Sequence, residues 1–356
     1  MDTKQIESHY SNYQGKKYLF LLLISALLIA AAVAGITLGS AEINLQEIWQ
    51  VLTAEASATQ QQIILNIRLP RVLSAIVAGT ALAVSGAAMQ TILRNPLGSP
   101  FTLGISNAAA FGAAFAVIVL SAGSLQSGNN EPVMLNNPYT VTLSAFMWSL
   151  VSTLVIFLLA RFKGATPEVM ILTGIILGSL FTAGITALQY FADDIEISSV
   201  VFWTFGDIGR ASWKDFFILT GVMIVAMVIF MRNRWNYNAL DTGDEMAKSL
   251  GVHVERTRLT GMLTASLATA VTVSFFGIIA FVGLVVPHIV RRVIGGDERF
   301  LIPASALFGG MFLLVSDTVA RTIIAPVVLP VGILTSFLGA PLFLYLLIRG
   351  IGKGYW

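Results

Sequence analysis

The chain has 356 residues, of which 56% are hydrophobic and 11% charged, and its net charge is +2. A mean hydropathy of +0.81 is one that a water-soluble globular chain does not sustain, so lipid is the solvent for most of it. The absence of cysteine excludes disulfides, thiolate metal sites and cysteine nucleophiles, and the small charge, spread over short turns, argues against a nucleic-acid surface.

Residues 1–17 are polar and read as a cytoplasmic tail ahead of a first apolar segment, Tyr18–Leu38. No small-residue cleavage site follows, so this segment is expected to be a retained membrane helix and not a removed signal peptide. Further apolar segments fall at Leu69–Leu93, Thr102–Ser121, Val141–Ala160, Val169–Ala192, Phe216–Met231, Leu259–Ile279, Phe281–Ile294, Ile302–Ala320 and Val331–Ile348. Most reach the roughly 20 residues that a helix needs to cross the hydrocarbon core. Together they predict a single all-α membrane domain over residues 1–356, a polytopic bundle of about ten transmembrane helices.

Where the second segment begins, Arg68 and Arg71 flank Leu69-Pro70, with Pro70 suited to a first helical turn. Two guanidiniums at this point can hold lipid headgroup phosphates or pair with carboxylates of an extracytoplasmic protein. Small residues then recur at four-residue spacing, at Ala75, Gly79, Ala83 and Ala87, and again at Gly174, Gly178, Thr182 and Thr186. In lipid such stripes let helix backbones approach closely, so both predict bundle seams. The longest polar loop runs from residue 232 to 258. Within it Thr242 and Glu245 fit a capping box and Gly251 a C-terminal stop. A short helix from about Gly243 to Leu250 would show Met246 and Leu250 on one face, with Asp244, Glu245 and Lys248 around it. That face suits a cleft on a soluble partner, and equally a helix lying on the membrane.

Phe281–Ile294 is short and contains Pro287, so its freed backbone groups require protein or a water-filled cavity, and the segment should face the interior. Asp317 is the exception among segments that hold almost no ionisable group near their middles. Arg321, four residues on, shares its helix face and predicts a structural ion pair. If both termini are cytoplasmic, 16 of the 21 lysines and arginines lie on that side and only Arg68, Arg71, Arg210, Lys214 and Arg321 on the other. The positive-inside rule therefore places both ends in the cytoplasm of a multi-pass membrane protein.

No G-x-x-x-x-G-K-[ST] motif occurs; Gly15-Lys16 and Gly352-Lys353 lack it, so the chain is not expected to be an enzyme that hydrolyses ATP by that route. An ion-coupled secondary carrier would need ionisable ligands inside its spans, which are scarce here. A membrane scaffold or receptor is a third class. Neither of these explains the missing nucleotide site together with a docking loop. Energy is therefore expected from outside this polypeptide. His9, His253 and His288 are scattered, and no metal site or cofactor is expected.

An ordered series of residues then carries a family resemblance. Arg68-Leu69-Pro70-Arg71, Ser85-Gly86, Met89-Gln90, Arg94-Asn95-Pro96-Leu97 and Leu103-Gly104-Ile105-Ser106 resemble the FecCD-type permeases of iron-siderophore, haem and cobalamin importers. So do Leu250-Gly251-Val252, Gly277, Phe281-Val282-Gly283-Leu284, Pro287-His288, Arg291, Gly296-Asp297, Arg299, Pro303, Asp317, Arg321, Pro330, Gly332, Gly339 and Pro341, and the likeness runs from about residue 60 to 350. The resemblance implies a homodimer of ten-helix subunits in the lipid bilayer, two cytoplasmic ATP-binding subunits and an extracytoplasmic substrate-binding protein. It implies that Arg68, Arg71 and Arg321 face acidic residues of that binding protein. Asn95 and Leu97 would form a cytoplasmic gate, and the loop from Asp241 to Gly251 would couple to the ATPase. Gly283, Pro287, His288, Arg291 and Asp317 belong to the structural motif, and His288 is given a structural role. Ferric siderophore is the first expected cargo, with haem, cobalamin and molybdate or tungstate behind it. Two stretches depart from the family pattern. Ala325-Pro326-Val327-Val328-Leu329-Pro330 lacks a usual glutamate, and Gly206-Asp207-Ile208 replaces a usual Gly-Ser-Leu, both near the outer face.

Overall fold

The computed structural model describes residues 3–39, 43–53, 56–122 and 138–351, and the regular structure among them is helical. α1 (Thr3–Thr37), α2 (Leu45–Leu52) and α3 (Ala58–Gln61) precede a π-helical stretch, Gln62–Arg68, that runs directly into α4 (Leu69–Ile92). α5 (Ile105–Ile118), α6 (Pro138–Lys163), α7 (Pro167–Phe191), α8 (Asp194–Thr204) and α9 (Trp213–Asp241) follow. The chain closes with α10 (Asp244–Ser249), α11 (Val254–Phe276), α12 (Val282–Ile294), α13 (Glu298–Thr322) and α14 (Val331–Ile351). Seven helices among the described residues are long and apolar enough to cross a membrane. Each of the ten apolar segments lies on a helix of its own, three of them on the shorter or weaker α5, α12 and α14.

The centre of the bundle is α4, which α13, α11, α9 and α12 surround. Its side chains from Ala81 to Ile92 are buried without interruption, possible only because most are small. The first small-residue stripe is a seam, as its spacing predicts. A Cβ on Gly79 would overlap the Gly309 carbonyl, and beside the stripe one on Gly86 would overlap the Gly283 carbonyl, so α13 and α12 lie backbone to backbone against α4. The Thr80 hydroxyl donates to the Ala306 carbonyl at 2.9 Å and Gln90 Nε2 to the Leu284 carbonyl at 3.0 Å, which adds directional ties to that packing. α12 is the short interior helix expected around Pro287, with Val282, Val285, Val286, Pro287 and Val290 buried.

Several boundaries differ from the sequence reading. The tail is not separate: α1 is helical from Thr3 onwards, because extending an existing helix costs little and residues 3–17 contain no proline. Met1, Asp2 and Lys353 lie outside the described residues. Pro70 stands in the first turn of α4, as its sequence predicts, but that turn follows on a π-helical stretch and not on a loop. The π-helical turn before it directs the Leu69 N–H to the Ile64 carbonyl, a wider register that accommodates a proline just beyond. The third segment becomes helical only at Ile105, after a run of turns from residue 93. The polar stretch after residue 231 is not loop, since α9 continues to Asp241 with Tyr237 and Leu240 fully buried and Asn236 donating to Asn233 at 3.0 Å. The expected loop over 232–258 thus shrinks to residues 242–253. Thr242 caps the end of α9, its hydroxyl donating to the Ala239 carbonyl at 2.8 Å, so no capping box forms with Glu245.

Candidate functional site

Three places hold the residues singled out by sequence: a groove, a polar corner at one end of the bundle, and an arginine cluster at the other. The groove lies between α5 and α7 and encloses about 760 Å³. Gly174 abuts the turn before α5, where a Cβ would come within 2.6 Å of the Leu103 Cα, so this half of the second stripe is a seam. Its other half is not, which corrects the sequence reading: Thr182 and Thr186 line the open groove. Asn107 Nδ2 reaches across to the Thr182 hydroxyl at 3.0 Å. The remaining lining is Asn95, Leu97, Phe101, Thr102, Ser179 and small or aliphatic residues of α7, and none of these side chains is ionisable.

At one end the groove stops on the turn that carries the two expected gate residues. Asn95 Oδ1 accepts the Leu97 N–H at 2.9 Å, closing an Asx turn that turns Leu97 outward, 42% exposed. Arg94 before it adopts a left-handed backbone, φ +45°. Ser99 and Thr102 then satisfy one another: the Ser99 N–H donates to the Thr102 hydroxyl at 3.1 Å, and that hydroxyl donates to the Ser99 carbonyl at 2.7 Å. Behind this turn, against α4, α11 and residues 279–284, sits a second cavity of about 280 Å³. Phe101 and Thr102 line both spaces and form a thin partition between them.

The polar corner joins the ends of α4, α9, α11, α12 and α13. α10 stands at its edge with Met246 and Leu250 exposed and Ala247 buried. Gly251 stops α10 as its sequence predicts, at φ +83°, with the Val252 N–H returning to the Ala247 carbonyl at 3.0 Å. Asp244 forms a two-pronged pair with Arg258 at 2.6 and 2.7 Å, and the hydrogen bonds from Arg258 hold its carboxyl below the ordinary range. Glu245 is exposed. Asp241 pairs with Arg291 at 3.5 Å, and Arg291 reaches the fully buried Glu298 at 3.2 Å and the Thr91 hydroxyl at 3.1 Å. Asp297 is partly buried, yet hydrogen bonds from Arg299 and Asn238 outweigh the desolvation and bring it to about 2. Arg258, Thr91 and Glu298 were not legible as site residues, because the partners of Arg258 are 14, 93 and 166 positions away along the chain.

At the opposite end Asp317 is fully buried. It accepts from Arg71 Nη2 at 2.7 Å and Nε at 3.0 Å, and pairs with Arg321 Nε at 3.3 Å. The structural ion pair expected between Asp317 and Arg321 is present, with Arg71 as the closer partner. Arg68 and Arg321 turn inward, 5% and 7% exposed. Arg68 donates to the Ile36 and Thr37 carbonyls, and Arg321 to those of Gly35 at 2.8 Å and Leu38 at 3.2 Å, so the two close the end of α1. Arg71 also lies 3.8 Å from Asp207, one of the departures from the family pattern. His288 is half-buried and meets Phe343 edge-on with centroids 6.0 Å apart. Among the described residues no group of histidines and carboxylates could hold a metal ion.

Residues 27–349 match the FecCD transport family. The chain belongs to the FecCD transport family. An ABC transporter permease protein of Methanocaldococcus jannaschii is 53% identical over 344 residues, 97% of this chain and 98% of that protein. The hemin transport system permease protein of Yersinia pestis is 38% identical, covering 93% of this chain and 94% of its own. A solved inward-facing structure of a metal-chelate type ABC transporter superposes with a TM-score of 0.80 at 30% identity, over 92% of this chain and 98% of that one. As a FecCD permease the chain is a multi-pass membrane subunit, and ATP hydrolysis belongs to a separate subunit.

Proposed function

We propose that this chain is the pathway-forming permease of an ATP-driven importer that brings an iron chelate, a ferric siderophore first, across the cytoplasmic membrane. The observation that carries the reading is the groove of about 760 Å³, lined by amides, hydroxyls and apolar side chains, that ends on the Asn95–Leu97 turn. A chelate arrives with its metal already saturated by its own ligands, so a neutral, weakly binding wall lets it pass without trapping it. The groove is open along one side, and a second copy facing it would complete a channel. That supports a homodimer with Asn95 and Leu97 of each copy as the cytoplasmic gate.

The polar corner is the cytoplasmic side by the positive-inside bias, and α10 there offers Met246 and Leu250 to a cleft on an ATP-binding subunit, with Asp244, Glu245 and Gly251 shaping the edge and Asp241 anchoring its entry. An extracytoplasmic binding protein would dock at the other end. Arg68 and Arg321 serve it by holding the rim around the end of α1, and Arg71 by setting the charge beside Asp207. Haemin is a second reading, favoured by the 38% identity to a haemin permease over most of both chains, and cobalamin a third, favoured by 35% identity to a vitamin B12 import permease over 91% of this chain; molybdate or tungstate follows from the resemblance alone. An ion-coupled carrier working alone is disfavoured because the carboxylate of Asp317 is occupied by two guanidiniums.

Uptake into proteoliposomes holding this chain, its partner ATPase and its binding protein tests the reading, with labelled ferric siderophore, haemin and cobalamin compared with and without ATP. ATP-dependent accumulation of the siderophore is expected. ATP-dependent accumulation of haemin or cobalamin instead would reassign the cargo, and accumulation without ATP or partners would overturn the permease reading.

A further inference from the structure

One guanidinium touches every element that the proposed transport cycle has to move together. Arg258 is 2% exposed and spends its donors on three separate parts of the chain. Two prongs hold the Asp244 carboxylate at the start of α10, at 2.6 and 2.7 Å. Nε donates to the Ile92 carbonyl at 3.1 Å, on the last residue of α4 before the gate turn. Nη1 also donates to the Ala165 carbonyl at 3.3 Å, two residues ahead of α7, the groove's other wall. α10 has few other attachments, since Met246, Leu250 and Gly251 are all exposed and Ala247 is its one buried side chain.

A parallel but looser arm runs beside it. Asp241 meets Arg291 at a single 3.5 Å contact, and Arg291 continues to the Thr91 hydroxyl, next to Ile92. Arg94 lies alongside, its Nη1 about 3.9 Å from where a Cβ on Gly243 would stand. The two acidic residues that bracket the α9–α10 corner are thus linked through arginines to adjacent residues at the end of α4. Arg291 is 30% exposed and its ion pair long, so the buried, forked Arg258 is the stiffer of the two links.

We propose that Arg258 is a positioning residue for transport, coupling displacement of α10 to the Asn95–Leu97 turn and to the root of α7. It touches no cargo and acts through Asp244 on one side and the Ile92 and Ala165 carbonyls on the other. The inference rests on the reading of α10 as the ATPase contact and of Leu97 as the gate. Lysine keeps the charge but lacks the planar fork, so it cannot hold a carboxylate and two carbonyls in these directions at once.

The test exploits a chain without cysteine. In the complete complex carrying Leu97→Cys, the rate of thiol labelling is measured with and without ATP, alongside ATP hydrolysed per cargo imported. Adding Arg258→Lys to complexes that still co-purify should shrink the ATP-dependent change in labelling roughly tenfold, the weight of one or two charge-assisted hydrogen bonds, and lower import per ATP. Should Arg258→Lys prevent assembly, Asp244→Asn removes only the α10 link and should produce the same loss. An ATP response of parental size in either assembled variant would overturn the proposal. If Leu97→Cys alone shows no ATP response, or Met246→Asp with Leu250→Asp leaves import coupled, the gate or the coupling reading has failed instead.

Discussion

α4 and α7 carry the same small-residue spacing and use it differently. In α4 the stripe is closed, with Gly79 and Ala83 pressed against Gly309 of α13, and Gly86 beside the stripe is pressed against the Gly283 carbonyl of α12. In α7 the stripe is closed only at its start; at Gly178 the nearest atoms to an added Cβ are 3.7 Å away, and Thr182 and Thr186 face open space. A four-residue repeat of small side chains therefore declares that something comes close, while what comes close depends on neighbours. For α4 it is two helices of the same subunit. For α7 it is first a backbone turn and then the groove, where small residues leave open space.

The contrast can be broken most severely at Gly86. Gly86→Val drives a branched side chain into the Gly283 backbone, which cannot yield as a flexible side chain would, and should cost at least about 3 kcal/mol, seen as loss of monodisperse protein in detergent. Gly178→Ala in α7 has ordinary contact distances around it and should change stability by less than about 0.5 kcal/mol. Asp317→Asn tests the other device that holds α4 to α13. It leaves the buried Arg321 and the part-buried Arg71 without their shared charge and should destabilise by about 3 kcal/mol in denaturant unfolding from mixed micelles. Thr182→Leu should barely alter unfolding, yet slow cargo uptake severalfold by narrowing the groove.

A further effect is one of pH at the polar corner. Asp297 has an ordinary value of 3.8 and is brought to about 2, so its folded form is favoured above the ordinary value and the advantage disappears as pH falls through that interval. The melting temperature should hold down to about pH 4 and then decline toward about pH 2, with Asp297→Asn flattening that part of the profile. An unchanged profile in the variant would show that Arg299 and Asn238 contribute nothing there.

Much of this architecture was legible because lipid imposes length and apolarity on a helix, and those are local properties of the chain. Every apolar segment lies on a helix, and the α4 seam and the α10 stop at Gly251 follow from composition. Helix ends were harder. Arg232–Asp241 looked like loop because polar side chains hid a buried face made by Tyr237 and Leu240. Thr242 matched an N-terminal cap by pattern but was already engaged in ending α9. The proposed gate residues Asn95 and Leu97 were singled out only through resemblance, and their geometry, an Asx turn on a run of non-helical residues, leaves little periodic signal. Arg258 could not be found by any local rule, since its contacts converge from three distant stretches of sequence.

The central claim is that the α5–α7 groove is the route of the cargo while the equivalent stripe of α4 is sealed. Single cysteines at Thr182 and Ala87 decide it in the assembled importer, since the chain supplies no competing thiol. A bulky thiol reagent should react at Thr182→Cys, block ATP-driven uptake and be held off by bound cargo, and should not react at Ala87→Cys. Full uptake after complete reaction at Thr182→Cys would contradict the account.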